Sequence, residues 1–322
     1  MKKLKWGLIG CGDIARKRVA PALRDLENCQ LLAVNRADAA KAAAFANEFG
    51  AATWYEHWQE LVQEPDVEAV YIATPVYLHA EQTIAAARAG KHVLCEKPMA
   101  LNLDECDRML QACDEHNVRL SVAYYRHFYP VLRRIKQMLQ NGTIGKVALV
   151  HINALDTFDR RSGEARHWLL QKELAGGGPM MDVGCHRIEV LLNLLGPVQQ
   201  VTALTANNVF KDRSVEDTAV AALQFEQGGT GVLSVTHGSL VNRDTLDIYG
   251  EKGHLSVANL NEGKLVISVG SHQSFESLPP HSNLHLPHIE DFTRAVLEGR
   301  EPLFSGKQGR EVSRILSLIY GS

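Results

Sequence analysis

Five short β-branched runs in the first 125 residues, separated by stretches of helical period, constrain this 322-residue chain more than any other feature. The runs are LKWGLIG, QLLAVN, VEAVYIAT, KHVLC and VRLSVAYY; the helical stretches include 39–49, 79–89 and 103–117. Strands that recur with a helix between them build a right-handed parallel sheet covered on both faces. Beyond residue 122 the pattern changes. A helix over 127–140 leads into KVALVHINAL, and a second helix over 181–195 leads into VQQVTALTA, DTAVAALQFEQGGTGVLSVTHGS, DTLDIYGEKGHLSVAN and KLVISVG. Gly-rich turns at hairpin spacing predict an antiparallel or mixed sheet there. Amphipathic helices over 288–298 and 307–320 close the chain. The change of pattern divides it into domains of residues 1–122 and 123–322, an α/β fold in two parts.

Composition narrows the partners. Thirty-four basic and 37 acidic residues leave a formal charge of −3 with no long run of one sign, which argues against a nucleic-acid backbone or an anionic membrane. No window approaches the roughly 18 apolar residues of a membrane span. The apolar run after the basic N-terminus is broken by Gly10, Gly12 and Asp13, too soon for an export signal. Six cysteines without ligand spacing read as reduced thiols of a cytoplasmic protein.

The first strand runs directly into Gly10-Cys11-Gly12-Asp13-Ile14-Ala15, which opens a helix that Pro21 should kink. Gly10 allows the tight turn, Gly12 lets a pyrophosphate approach the backbone, and Ala15 permits close helix–sheet contact, with the helix N-terminus facing the negative charge. At the end of the second strand, where an acidic residue usually meets the ribose hydroxyls of NAD, stand Asn35 and Arg36. A guanidinium holds a 2′-phosphate in forked hydrogen bonds, and Lys41 could add a second positive charge. NADP is therefore favoured, with NAD possible because Asp38 lies only two residues further on.

The stretch HVLCEKPMA ends a buried strand on Glu96, Lys97 and Pro98, and GGGPMMDVGCHRIEV spaces Asp182 and His186 one helical turn apart. Taken alone, Glu96–Lys97 reads more often as a surface ion pair, while Asp182 reads equally as a helix cap and His186 as a core histidine. Together with GLIGCGDIA, YIATPVYLHAEQTIAAARAGKHVLCEKPMA and the closing IEDFTRAVLEGREPLFSGKQGREVSRILSLIYGS, these motifs resemble the glucose-fructose oxidoreductase, inositol dehydrogenase and MocA (Gfo/Idh/MocA) family over essentially the whole chain.

The resemblance implies an N-terminal Rossmann domain and a C-terminal α/β domain with an open, mostly antiparallel sheet whose exposed face mediates a homodimer or homotetramer. It implies an NAD(P)-dependent oxidoreductase acting on a sugar, cyclitol or related polyol, with Lys97, Asp182 and His186 converging on the reacting oxygen. In that pattern Glu96 orients the lysine, and Thr74, Pro75 and His79 line the cofactor, although Val76 stands where an asparagine is common. Trp168 is expected against the nicotinamide or a sugar face. Tyr124 and Arg126 are candidate substrate contacts, with junction packing as the other reading. An NAD-recycling lyase or glycoside-cleaving enzyme and a non-enzymatic dinucleotide sensor remain alternatives on the same fold. His281, His285 and His288 are not expected to bind metal, and Glu189 is expected to be a solvated or packing neighbour of His186.

Overall fold

Strand β1 (Leu4–Ile9) is buried along its length except at Lys5, as a central strand covered on both faces must be. It belongs to a computed structural model that describes residues 2–321. Those residues form two compact units: the chain up to Tyr125 together with His281–Glu311, and Arg126–Pro280 together with the chain from Val312 onward.

The first unit holds β1, β2 (Cys29–Asn35), β3 (Thr53–Tyr55), β4 (Ala69–Ile72), β5 (His92–Cys95) and β6 (Leu120–Val122), all parallel, in the order β3-β2-β1-β4-β5-β6. This is the Rossmann order, with its switch point between β1 and β4. The edge strand β3 is short and largely exposed, and carries no periodic signal in the sequence. The expected helices occur at Ala39–Phe49, His79–Arg88 and Leu103–Glu115. After β1 the helix begins at Asp13, is π over Ala15–Val19 and becomes α at Ala20–Asp25; Pro21 stands inside this continuous run, just past the π turn, where it removes one backbone donor.

The segment His281–Glu311 packs with this unit, whereas the sequence boundary assigns it to the second domain. The reason is apolar. Phe292 of the Leu286–Glu298 helix lies 5.6 Å from Trp6 of β1, and Ile289 and Phe292 join the core beneath β1.

The second unit is built on β7 (Val147–Thr157), β8 (Val198–Ala206), β9 (Thr218–Phe225), β10 (Thr230–Thr236), β11 (Gly238–Gly250), β12 (Gly253–Val257), β13 (Lys264–Val269) and β14 (His272–Ser277), in the order β14-β13-β12-β11-β7-β10-β9-β8. Among the described strands of this sheet, only the β7–β10 pair is parallel. Ala221, Leu233, Ile152, Leu246, Val257 and Leu265 lie side by side across six strands, each at most 1% exposed. The Cys185–Leu195 helix packs on β7 and β10, with Pro130–Gln140 against it. The expected helix over 127–140 begins only at Pro130, because the residue before a proline is kept extended. Ala222, Val232, His151, Asp247, Ser256, Val266 and Phe275 form the matching row on the opposite face, which is open to solvent to differing degrees.

Among the described residues no disulfide joins the six buried cysteines. Nor is any helix among them long and apolar enough to cross a membrane.

Candidate functional site

In the first unit, β1 delivers the chain into a turn only glycine fits. Gly10 has φ +92°, and a Cβ there would lie 2.8 Å from the carbonyl carbon and oxygen of Ala73, at the end of the neighbouring strand β4. Its N–H bonds to Asn35 O at 3.1 Å. A Cβ on Gly12, by contrast, would meet no atom within 4 Å, and the helix begins at Asp13. A strand, a glycine turn and a helix N-terminus at the switch point fit the pyrophosphate of a dinucleotide. Asp13 is exposed and paired with Lys17, Ile14 is half-buried, and Ala15 is fully buried against the sheet. Burial pushes the Cys11 thiol up to about 12 against the pull of Arg36, so this cysteine is no nucleophile at neutral pH.

Arg36 donates a 2.6 Å bond to Cys11 O, which sets its guanidinium beside the glycine turn. Asp38 accepts from Lys41 N at 3.0 Å and pairs with Lys41 Nζ at 2.7 Å. It is the cap of the Ala39–Phe49 helix, and Lys41 is not an unshared charge.

Two residues expected to touch cofactor are committed to the backbone instead. Asn35, 5% exposed, donates to the carbonyls of Tyr55 and Glu56. His79, 1% exposed, stands 2.9 Å from Thr74 O and 3.0 Å from Pro98 O, tying the turn after β4 to the turn after β5. Burial shifts its ring toward the neutral form. Thr74 donates to Gln82, and Pro75 leads into the short helical turn Val76–Leu78.

Strand β5 is fully buried from Val93 to Cys95 and continues through buried Glu96 to half-buried Lys97 at the carboxyl edge of the sheet. The Lys97–Pro98 peptide is cis. Glu96 accepts from the Tyr71 hydroxyl at 2.7 Å and from Lys97 N at 3.2 Å, and lies 3.3 Å from His285 Nε2. Its carboxylate thus anchors the lysine's backbone as well as lying near its charge. His285 was unforeseen here, since it arrives from nearly 190 residues away. His281 and His288 have other partners, Asn283 and Ser121, and no group of three or more His, Cys, Asp or Glu among the described residues could hold a metal.

In the second unit, helical structure begins at Pro179 and contains a π turn at Met180–Gly184 before Cys185–Leu195. Asp182 lies inside that turn, so it is not the helix cap. The cap is Glu216, which accepts from Gly178 N at 2.8 Å and Met180 N at 3.1 Å. Asp182 is 8% exposed. It accepts from Arg166 Nη2 at 3.1 Å and lies 3.7 Å from His237 Nε2. His237 also lies 3.8 Å from Asp156 at the end of β7. Burial, and then the nearby charge of Asp182, hold Asp156 above its ordinary value. Phe158 lies under the Arg166 guanidinium and 5.1 Å from the His237 ring. Trp168, half-buried, packs with Phe158, Leu169, Leu170, Ala175 and Val215. His186 is 4% exposed, one turn beyond Asp182.

Asp156, Arg166, Glu216 and His237 escape sequence reasoning. Each lies outside any recognisable motif, and the pairing of β7 with β10 and β11 is what brings Asp156 and His237 together.

Arg126 is 4% exposed and paired with Asp244 at 2.8 Å, which also binds Arg187 at 2.6 Å. The guanidinium is a buried structural partner rather than an open substrate contact. Tyr124 is wholly buried, edge-on to Phe304. Glu189 is 2% exposed and 2.7 Å from His127, hence not solvated.

Residues 4–124 match the oxidoreductase family described as NAD-binding Rossmann fold, and residues 132–256 match the GFO/IDH/MocA C-terminal domain. The chain is 30% identical to 1,5-anhydro-D-fructose reductase of Ensifer adhaerens over 95% of its own length and 92% of that protein. Among solved structures it resembles aldose-aldose oxidoreductase from Caulobacter crescentus, complexed with glycerol, at 28% identity and TM-score 0.90, covering 99% of this chain and 97% of that one. Levoglucosan dehydrogenase in complex with NADH and levoglucosan is similar at 25% identity and TM-score 0.89, covering 100% and 97%.

Proposed function

Because the chain belongs to the GFO/IDH/MocA oxidoreductase family, we propose that it oxidises or reduces a CH–OH carbon of a sugar, cyclitol or related polyol, using NADP in preference to NAD. Lys97, Asp182 and His186 are its acid–base residues. The observation that carries this reading is the emergence of half-buried Lys97 from a fully buried strand at the carboxyl edge of the parallel sheet, the edge where such folds bind dinucleotides.

The bound nicotinamide supplies the hydride acceptor or donor. The chain's own residues handle the proton. As the carbon is oxidised, its hydroxyl must lose a proton, and the imidazole of His186 is the group assigned to take it. The Lys97 ammonium stabilises the oxygen as negative charge develops. Asp182 holds its place through Arg166 and His237. Half-buried Trp168 offers an aromatic face that suits a polyhydroxylated ring.

The NADP preference rests on Arg36, fixed beside the glycine turn by Cys11 O. The NADH-bound relative marks the competing choice. The open face of the second sheet, with Leu204, Val220 and Phe275 exposed, supports a homodimer or homotetramer through that face. Val220→Lys is then expected to yield monomer in sedimentation velocity.

The test is nicotinamide absorbance with NADP and NAD over a panel of sugars and inositols. Turnover with at least one is expected, reduced by roughly 10²–10⁴ in Lys97→Met and in His186→Asn. Arg36→Ala should weaken NADP binding by roughly 10- to 100-fold and leave NAD nearly unchanged. Silence across the panel with both cofactors would overturn the reading.

A further inference from the structure

The acid–base chemistry above leaves Glu216 without a role, although the fold buries its carboxylate to 8% exposure. A buried carboxylate is tolerated only where hydrogen-bond donors replace its water. Glu216 has three: Gly178 N at 2.8 Å on one oxygen, and Met180 N at 3.1 Å and the Tyr320 hydroxyl at 2.7 Å on the other. All three reach it from distant parts of the sequence.

The glycine run is shaped to receive this contact. A Cβ on Gly178 would lie 2.0 Å from the Glu216 carbonyl oxygen, and a Cβ on Gly177 would lie 2.2 Å from the Tyr320 hydroxyl. The residue therefore binds the one stretch of backbone that side chains would force away from it. The Gly178 carbonyl accepts from Asp182 N at 3.0 Å. The same residue, Gly178, is thus held by Glu216 through its N–H and holds Asp182 through its C=O. One π turn later the helix presents His186.

We infer that Glu216, backed by Tyr320, is the positioning residue that sets the placement of Asp182 and His186. This rests on the functional reading above. Asp182 reaches Arg166 at 3.1 Å and His237 at 3.7 Å, so a shift of the helix start by an ångström would break the first contact and part the second. Misplacement on that scale is enough to cost a large share of turnover without altering what is bound.

The experiment compares wild type, Glu216→Gln and Tyr320→Phe as full-length proteins. The glutamine turns an amide NH₂ toward a backbone N–H that needs an acceptor. The phenylalanine keeps the ring and both backbone bonds and removes only the hydroxyl. The readouts are kcat, KM, dinucleotide affinity, and the titration of His186 followed by NMR of labelled histidine.

Glu216→Gln is expected to lower kcat by about 10- to 100-fold, with KM and dinucleotide affinity within roughly threefold of wild type. Tyr320→Phe should show a smaller loss of the same kind, and both should shift the His186 titration by about half a pH unit or more. If Glu216→Gln fails to fold, Tyr320→Phe carries the test. Unchanged kcat and an unchanged His186 titration, with only a lower melting temperature, would make Glu216 a plain helix cap and overturn the inference. If the wild type turns over no sugar, the functional reading falls, while the His186 titration still decides this one.

Discussion

Tyr71 donates a 2.7 Å hydrogen bond to the carboxylate of Glu96, the residue immediately before Lys97. Burial alone would raise Glu96, but His285, the Tyr71 hydroxyl and the Lys97 charge outweigh it and hold the group at about 2 rather than its ordinary 4.5. A carboxylate depressed in this way stabilises the fold fully above its unfolded value and loses that contribution as pH falls toward about 2. Tyr71→Phe removes a donor from a buried charge and should cost about 1.5–3 kcal/mol near neutral pH. The deficit should shrink in acid, as thermal melts over a pH series will show.

The two turn glycines should fail differently. Gly10→Ala forces a side chain into a left-handed conformation against the Ala73 carbonyl, at a cost of roughly 1–3 kcal/mol visible in urea unfolding. Gly12→Ala meets no neighbour and should leave stability within about 0.5 kcal/mol. Its effect should appear in dinucleotide titration, as binding weaker by roughly tenfold or more. Equal loss of stability in both would show that Gly12 is also a packing residue.

Asp244 bridges two buried guanidinium groups, Arg126 and Arg187. Burial pushes its carboxyl up, and the two arginines more than reverse this, leaving it below its ordinary value. Asp244→Asn strands both cations and should destabilise the second unit by about 3–5 kcal/mol at pH 7. Because the group is depressed, the wild type's advantage is present above the ordinary carboxylate range and fades as acid protonates Asp244.

Asp156 carries the opposite sign. Held above its ordinary 3.8 by burial and by Asp182, it is disfavoured as an anion in the folded chain. Asp156→Asn should therefore raise the melting temperature at pH 7, with the gain vanishing below about pH 4. If this carboxylate also accepts a substrate hydroxyl, KM for the sugar should rise by roughly five- to tenfold in the same variant. A lower melting temperature at pH 7 would contradict the electrostatic account.

Much of the fold was legible because it rests on local pattern. The buried runs of β1, β2, β4, β5 and β6 lie where β-branched residues cluster, and the Ala39–Phe49 helix spans the range its periodicity marks. The Leu286–Glu298 helix was legible as a helix but not as to its place. An amphipathic face states that something apolar must cover it, not which sheet will, and Trp6 of β1 is what it found.

Spacing along the chain by itself determined the parallel sheet, the Gly10 turn and the delivery of Lys97 to the sheet's carboxyl edge, since periodicity and backbone sterics act between near neighbours. Tertiary structure alone decided what each buried polar group would meet: Glu96 with His285, Asp244 with Arg126, Glu216 with Gly178. It also turned Asn35 and His79 from expected ligand contacts into struts. A hydrogen bond removed from water must be replaced by whichever partner packing brings within 3 Å, and residues far apart in sequence become neighbours only once both sheets have formed.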